Sequence, residues 1–153
     1  MYRHRRRSGR RLADRHRGDE RGRAAVQRRV RVLHVDDDPE VLLLVQLIFD
    51  GEPDLELVSC SSADEARFAA TLVTPDLFLI DVMMPGTDGP TLLEELRSRR
   101  EFVHVPALFV TAKAHPSDLE ALARTSAAGV VRKPFEAPTL MSQVRASLVA
   151  RVG

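Results

Sequence analysis

Tryptophan is absent from this 153-residue sequence, and tyrosine and cysteine each occur once. A single thiol, Cys60, excludes an internal disulfide and any cluster of thiolate metal ligands. It reads instead as a small buried apolar residue in a reducing compartment. No run of about 18 apolar residues occurs, so nothing reads as a membrane span. No apolar stretch follows the basic N-terminus within the range of a secretory leader, and the expected location is cytoplasmic. A Gly-rich phosphate loop, a dinucleotide fingerprint and a Ser/His nucleophile pair are also missing, which removes the common nucleotide-binding and hydrolase classes.

What is present is unevenly charged. The net charge of +1 hides a division into two segments. Residues 1–29 hold twelve arginines against three acids, a net of +9, while the remainder holds 11 basic and 19 acidic residues, a net of −8. Leu12 and Val26 are scattered without period in the first segment, and Gly9, Gly18 and Gly22 interrupt any helix. Such a stretch buries too little apolar surface to offset its ordering entropy, so residues 1–29 are expected to form a disordered Arg-rich tail. Three readings of it stay open: a basic arm for nucleic acid or an acidic partner, a solvated tail without a role, or translated leader sequence upstream of the true start.

Regular patterning begins at Val30. Strands are expected at 30–35, 55–59, 76–81, 106–111 and 130–132, and helices at 39–50, 63–71, 89–100, 117–126 and 137–152. Asp38 and Ser62 are placed to cap helices, Pro39 and Pro138 suit first helical turns, and Gly51 follows the end of a helix. The third and fourth strands, DLFLID and PALFVT, are apolar along their length, as strands covered on both faces must be. Strict β/α alternation predicts an α/β fold, a doubly wound five-stranded parallel sheet. Residues 30–153 are long enough to carry one core.

In open parallel sheets, sites form at the carboxyl ends of the strands. Asp36, Asp37 and Asp38 follow the first strand, Asp81 ends the third, Thr111 ends the fourth, and Lys133 follows the fifth. Singly, an Asp after a strand is usually a turn or cap residue, and a strand-end Thr is usually a β-former. Together they put acids, a hydroxyl and an ammonium on one rim. Clustered carboxylates repel unless a cation lies among them, and oxygen-only ligands select a hard ion, Mg²⁺ or Mn²⁺ in its place. A carboxylate beside such an ion can attack phosphorus, and phosphoryl transfer needs its oxygens neutralised. Lys133 and Thr111 suit that second task. His34, one step before the acidic end of strand one, reads as a packed core histidine.

The segments VLHVDDDPEV (32–41), DLFLIDVMMPGTDG (76–89), PALFVTAKA (106–114) and GVVRKPF (129–135) resemble, in order and spacing, the receiver domains of bacterial two-component response regulators. The resemblance covers about Val30 to Arg151 and implies a flavodoxin-like (βα)5 fold. It implies that Asp81 is the phosphoacceptor, that Asp37 ligates Mg²⁺ directly, that Asp36 holds it mainly through water, and that Met83 contributes its backbone carbonyl. Thr111 and Lys133 would contact the phosphoryl group, Pro85 and Gly89 would shape the loop after Asp81, and the Lys133–Pro134 peptide would be cis. The implied partners are a histidine kinase or phosphotransfer protein as donor and an output protein acting in trans, because the chain ends after the fifth helix. Membrane binding is not expected, nucleic acid is expected at most through the Arg-rich tail, and the expected state is a monomer or a phosphorylation-dependent dimer.

Two features set the sequence apart. Many relatives carry an aromatic residue three positions before the lysine, and here Val130 stands there. A phosphatase with an aspartyl-phosphate intermediate commonly places a second acid two residues after its nucleophile; Met83 occupies that position and cannot transfer protons. The expected role is therefore regulatory rather than enzymatic, limited to the domain's own phosphorylation and dephosphorylation.

Overall fold

The computed structural model describes residues 27–112 and 115–150. The tail expected over 1–29 lies outside the described residues up to position 26. Its last arginines are described. Arg28 donates to Asp76 and to the Thr74 carbonyl, and Arg29 donates to the Leu55 carbonyl, so both are tied to the folded unit.

Strands and helices alternate from Val30 onward: β1 (Val30–Val35), α1 (Pro39–Asp50), β2 (Leu55–Cys60), α2 (Ala63–Leu72), β3 (Leu77–Asp81), α3 (Gly89–Arg97), β4 (Ala107–Thr111), α4 (Pro116–Ala123), β5 (Gly129–Arg132) and α5 (Ala137–Ala150). All pairings are parallel and the order is β2-β1-β3-β4-β5. The expected doubly wound sheet is thus observed. β3 and β4 are buried at every position, as their continuous apolar runs require.

Two cores flank the sheet. Leu33, Val35, Phe78, Ile80 and Phe109 face α2, α3 and α4. Val32, Leu77, Leu79, Leu108 and Val110 face α1 and α5. The side-chain period of two along each strand produces this division. The helix starts follow from capping chemistry: Asp38 accepts from the Glu40 amide, Ser62 from the Glu65 amide and Asp88 from the Thr91 amide.

Two helices end earlier than their sequence pattern suggests. α3 stops at Arg97 rather than 100, because Arg99 turns extended and a short 3-10 turn, Arg100–Phe102, sinks Phe102 edge-on against Phe78. α4 runs from Pro116 to Ala123 rather than 117–126, and His115 caps it through its ring nitrogen. Gly51 closes α1 with a right-handed φ of −79°, so its tolerance of positive φ is not used there. The portion of the fifth helix expected beyond Ala150 lies outside the described residues.

Candidate functional site

β1 has β2 on one side and β3 on the other, so successive crossovers leave it in opposite directions. A crevice opens where the winding reverses, at the carboxyl ends of β1 and β3. Asp36 and Asp37 follow β1 there, and Asp81 is the last residue of β3. β4 lies next to β3 and β5 next to β4, which brings Thr111 and Lys133 to the same rim.

Single carboxylate oxygens of Asp36, Asp37 and Asp81 all lie within 4.8 Å of one another. Asp36 is 0% exposed and Asp81 4%, whereas Asp37 is open to solvent. The Lys133 Nζ donates to Asp36 Oδ2 at 2.7 Å and to Asp81 Oδ1 at 3.2 Å. The lysine therefore bridges the two buried acids and lies nearer Asp36. The other Asp36 oxygen accepts from the Asp38 amide at 2.9 Å, which fixes the carboxylate plane. The Lys133 amide donates to the Thr111 carbonyl at 2.8 Å, locking the segment after β5 to the end of β4. Thr111 is buried, and the Lys133–Pro134 peptide is cis.

Burial and then the Asp36 charge push the Asp81 pKa up to about 6, against the pull of Lys133 and of the Met83 backbone N–H. Burial opposes the charge on Lys133, but its bonds to Asp36 and Asp81 outweigh that cost and hold its pKa above the ordinary value. One ammonium thus leaves the acids under-neutralised. This donor set, all oxygen with two buried carboxylates and one exposed, fits a hard divalent cation.

The loop after Asp81 is shaped by two glycines. Gly86 has a φ of +80°, where a Cβ is strained. A Cβ on Gly89 would lie 2.4 Å from the Asp81 carbonyl oxygen and 3.0 Å from the Val82 Cα. Gly89 therefore lets α3 start directly against the end of β3. Met83 turns its side chain outward, 55% exposed.

Other singled-out residues fall as follows. Asp38 caps α1 and stands outside the acidic cluster. His34 is fully buried, and among the described residues neither ring nitrogen has a hydrogen-bond partner. Burial, then the Lys133 charge, lowers its pKa to about 4, so it is a neutral residue within the fold. Cys60 is buried, and burial, then the Glu65 charge, raises its thiol to about 11. Val130 lies on β5, partly buried. A crevice of about 360 Å³ beside the rim is lined by Asp38, Val41, Leu44, Lys133 and Phe135 among others.

Sequence reasoning missed one network here. Arg67 on α2 donates to Thr87 in the loop after Asp81, to Glu95 on α3 and to Asp64. Only Asp64, three residues before Arg67, was at a readable spacing.

Among the described residues, no helix is long and apolar enough to cross a membrane. The family model for the response regulator receiver domain matches residues 32–145. The phosphate regulon transcriptional regulatory protein PhoB of Rhizobium meliloti is 32% identical over 114 residues, covering 74% of this chain and 50% of the relative. The DNA-binding response regulator MtrA of Mycolicibacterium smegmatis is 32% identical over 120 residues, covering 78% of this chain and 51% of the relative. The chain thus spans about half the length of these curated relatives. Among solved structures, the Francisella response regulator 1452 receiver domain superposes with a TM-score of 0.70 at 25% identity, covering 81% of this chain and 99% of that one. The Vibrio cholerae chemotaxis protein CheY4 gives a TM-score of 0.73 at 24% identity, a likeness of fold. With the sheet order, the rim of acids and this match over most of its length, the chain belongs to the response regulator receiver domain family.

Proposed function

We propose that this receiver domain, residues 30–153, is the phosphoacceptor of a two-component relay and is phosphorylated on Asp81 by a histidine kinase or phosphotransfer protein. The convergence of Asp36, Asp37, Asp81 and Lys133 on one rim carries the reading. In the transfer, an Asp81 carboxylate oxygen forms the new O–P bond. The P–N bond to the donor imidazole breaks, and the imidazole leaves with its electron pair. Asp36, Asp37, Asp81 and the Met83 carbonyl would hold Mg²⁺, or Mn²⁺ in its place. The ion supplies charge neutralisation for the acidic cluster and the phosphoryl oxygens. Lys133 and the Thr111 hydroxyl serve the remaining phosphoryl oxygens.

The domain acts as a regulatory module rather than a turnover enzyme, because Met83 offers no proton where a phosphatase needs an acid. We place it in the cytoplasm, as a monomer or phosphorylation-dependent dimer, signalling to a partner in trans. The Arg-rich segment 1–29 is a separate unit in this reading, joined to the domain through Arg28 and Arg29. The test is labelling by a small-molecule phosphodonor with Mg²⁺. Wild-type protein should take up one base-labile, hydroxylamine-sensitive phosphoryl group and Asp81→Asn none. Undiminished labelling of Asp81→Asn moves the acceptor elsewhere and overturns the assignment.

A further inference from the structure

The loop from Val82 to Asp88 has an inner and an outer side. On the inner side the Met83 backbone N–H lies close enough to the Asp81 carboxylate to favour its charged form. The loop's ends are fixed by backbone bonds: the Val82 amide donates to the Val110 carbonyl at 3.0 Å and the Gly89 amide to the Val82 carbonyl at 2.9 Å. Between them lie Pro85 and Gly86, both exposed, with Gly86 at positive φ. Met84 is anchored in the core beside Met83, and the exposed apex that follows is tied to the rest of the fold at Thr87.

Arg67 supplies a bond on the outer side. Its Nη2 donates to Thr87 Oγ1 at 2.9 Å, its Nε to Glu95 Oε2 at 2.7 Å and its Nη1 to Asp64 Oδ1 at 2.6 Å. One planar group thus holds α2, α3 and the loop in three fixed directions, which a lysine ammonium cannot reproduce. The Glu95 pair is partly exposed, the Asp64 carboxylate is almost fully exposed, and each pair is weak alone. Their joint effect is geometric, because the acids orient the fork that presents Nη2 to Thr87. Among the described residues this is the side-chain hydrogen bond that ties the loop to α2.

We propose that Arg67, acting through the Thr87 hydroxyl, is a positioning residue for the phosphoacceptor loop, holding Met83 in place for phosphoryl and cation binding at Asp81. This rests on the phosphoacceptor reading above. It predicts that loss of the bond costs affinity at the site rather than stability of the fold, since a small displacement of binding groups is expensive where charge accumulates.

The experiment measures Mg²⁺-dependent binding of beryllium fluoride, a phosphoryl mimic, to the full chain and follows the Met83 amide resonance. Urea unfolding of each variant is run alongside. Arg67→Met and Thr87→Val should each weaken binding about fivefold, the size of one modest hydrogen bond. The Arg67→Met/Thr87→Val double variant should be no weaker than either single variant, because both remove the same bond. Thr87→Ser keeps the hydroxyl and should bind as wild type. The Met83 amide should shift or broaden in both single variants while unfolding midpoints stay close to wild type. The proposal is overturned if either single variant binds within twofold of wild type. It is equally overturned if the double variant loses the product of the two effects, or if Thr87→Ser behaves as Thr87→Val. Absence of Mg²⁺-dependent binding in the wild type instead overturns the phosphoacceptor reading itself, and this proposal with it.

Discussion

Replacing Asp81 by Asn should stabilise the metal-free protein at neutral pH, although it removes the residue proposed to carry the chemistry. Burial and the neighbouring Asp36 raise the Asp81 pKa from 3.8 to about 6. A folded-state pKa above the unfolded value means that stability from this group is fully present below pH 3.8 and is lost as pH rises through 6. A gap of roughly two units corresponds to about 3 kcal/mol at 1.36 kcal/mol per unit, an upper bound because the amide remains buried and pairs with Lys133 without a charge of its own. Asn carries no charge and escapes this loss, and Lys133 keeps Asp36 as a partner. His34 works in the opposite sense. Its pKa is lowered from 6.5 to about 4, so the unfolded chain takes up its proton first and stability is lost as pH falls from 6.5 toward 4. The two effects are similar in size and partly cancel in the wild type.

Urea unfolding followed by circular dichroism, in EDTA from pH 4 to 8, reads the difference between variant and wild type. Asp81→Asn should be more stable at pH 7.5, by an amount that shrinks through pH 6 and vanishes near pH 4. His34→Leu should show a difference of the opposite pH dependence, growing as pH falls below 6.5. A flat Asp81→Asn difference curve, or a variant less stable than wild type at pH 7.5, refutes the electrostatic argument.

Gly89→Ala should destabilise the fold by about 1–3 kcal/mol, the usual cost of forcing a methyl group into packed space, because its Cβ meets the Asp81 carbonyl oxygen at 2.4 Å. Mg²⁺ titration of the same variant should show weakened binding, since the backbone that must move carries Asp81; full stability with unchanged affinity would contradict the contact. Asp37→Ala should weaken Mg²⁺ binding more than Asp36→Ala does, while leaving metal-free stability nearly unchanged, because Asp37 is exposed and Asp36 holds Lys133. Equal losses by calorimetric titration would contradict the direct-ligand role.

Much of this was legible in the sequence because it rests on short-range regularities. Apolar runs and caps such as Asp38 and Ser62 located the elements, and the strand-end positions of Asp36, Asp81, Thr111 and Lys133 located the rim. What was not legible depends on distant residues. The early stop of α3 follows from Phe102 seeking Phe78, and the charged run before it gives no hint of that. Lys133 was read as a phosphoryl ligand, but its shorter contact is with Asp36, 97 positions away. Arg67 and Thr87 are 20 positions apart, on a helix and a loop apex, and no periodicity links them. Arg145 on α5 bonds Glu52 and Asp54 in the same way, across the fold.

The clamp formed by Arg28 and the Arg31 amide on Asp76 marks where the chain enters the sheet. From there β1 runs 6 residues to the acidic rim, roughly 20 Å at strand rise. α5 begins just past Lys133 and runs 14 residues back, about 21 Å at helical rise. Val30 and Ala150 therefore lie at the same pole, with Asp81 at the other. A dye, surface tether or fused protein attached beyond either position leaves the acidic pole clear for a docking partner. A linker must also be about one domain height long before anything it carries can reach the carboxylates, which makes the fold its own spacer.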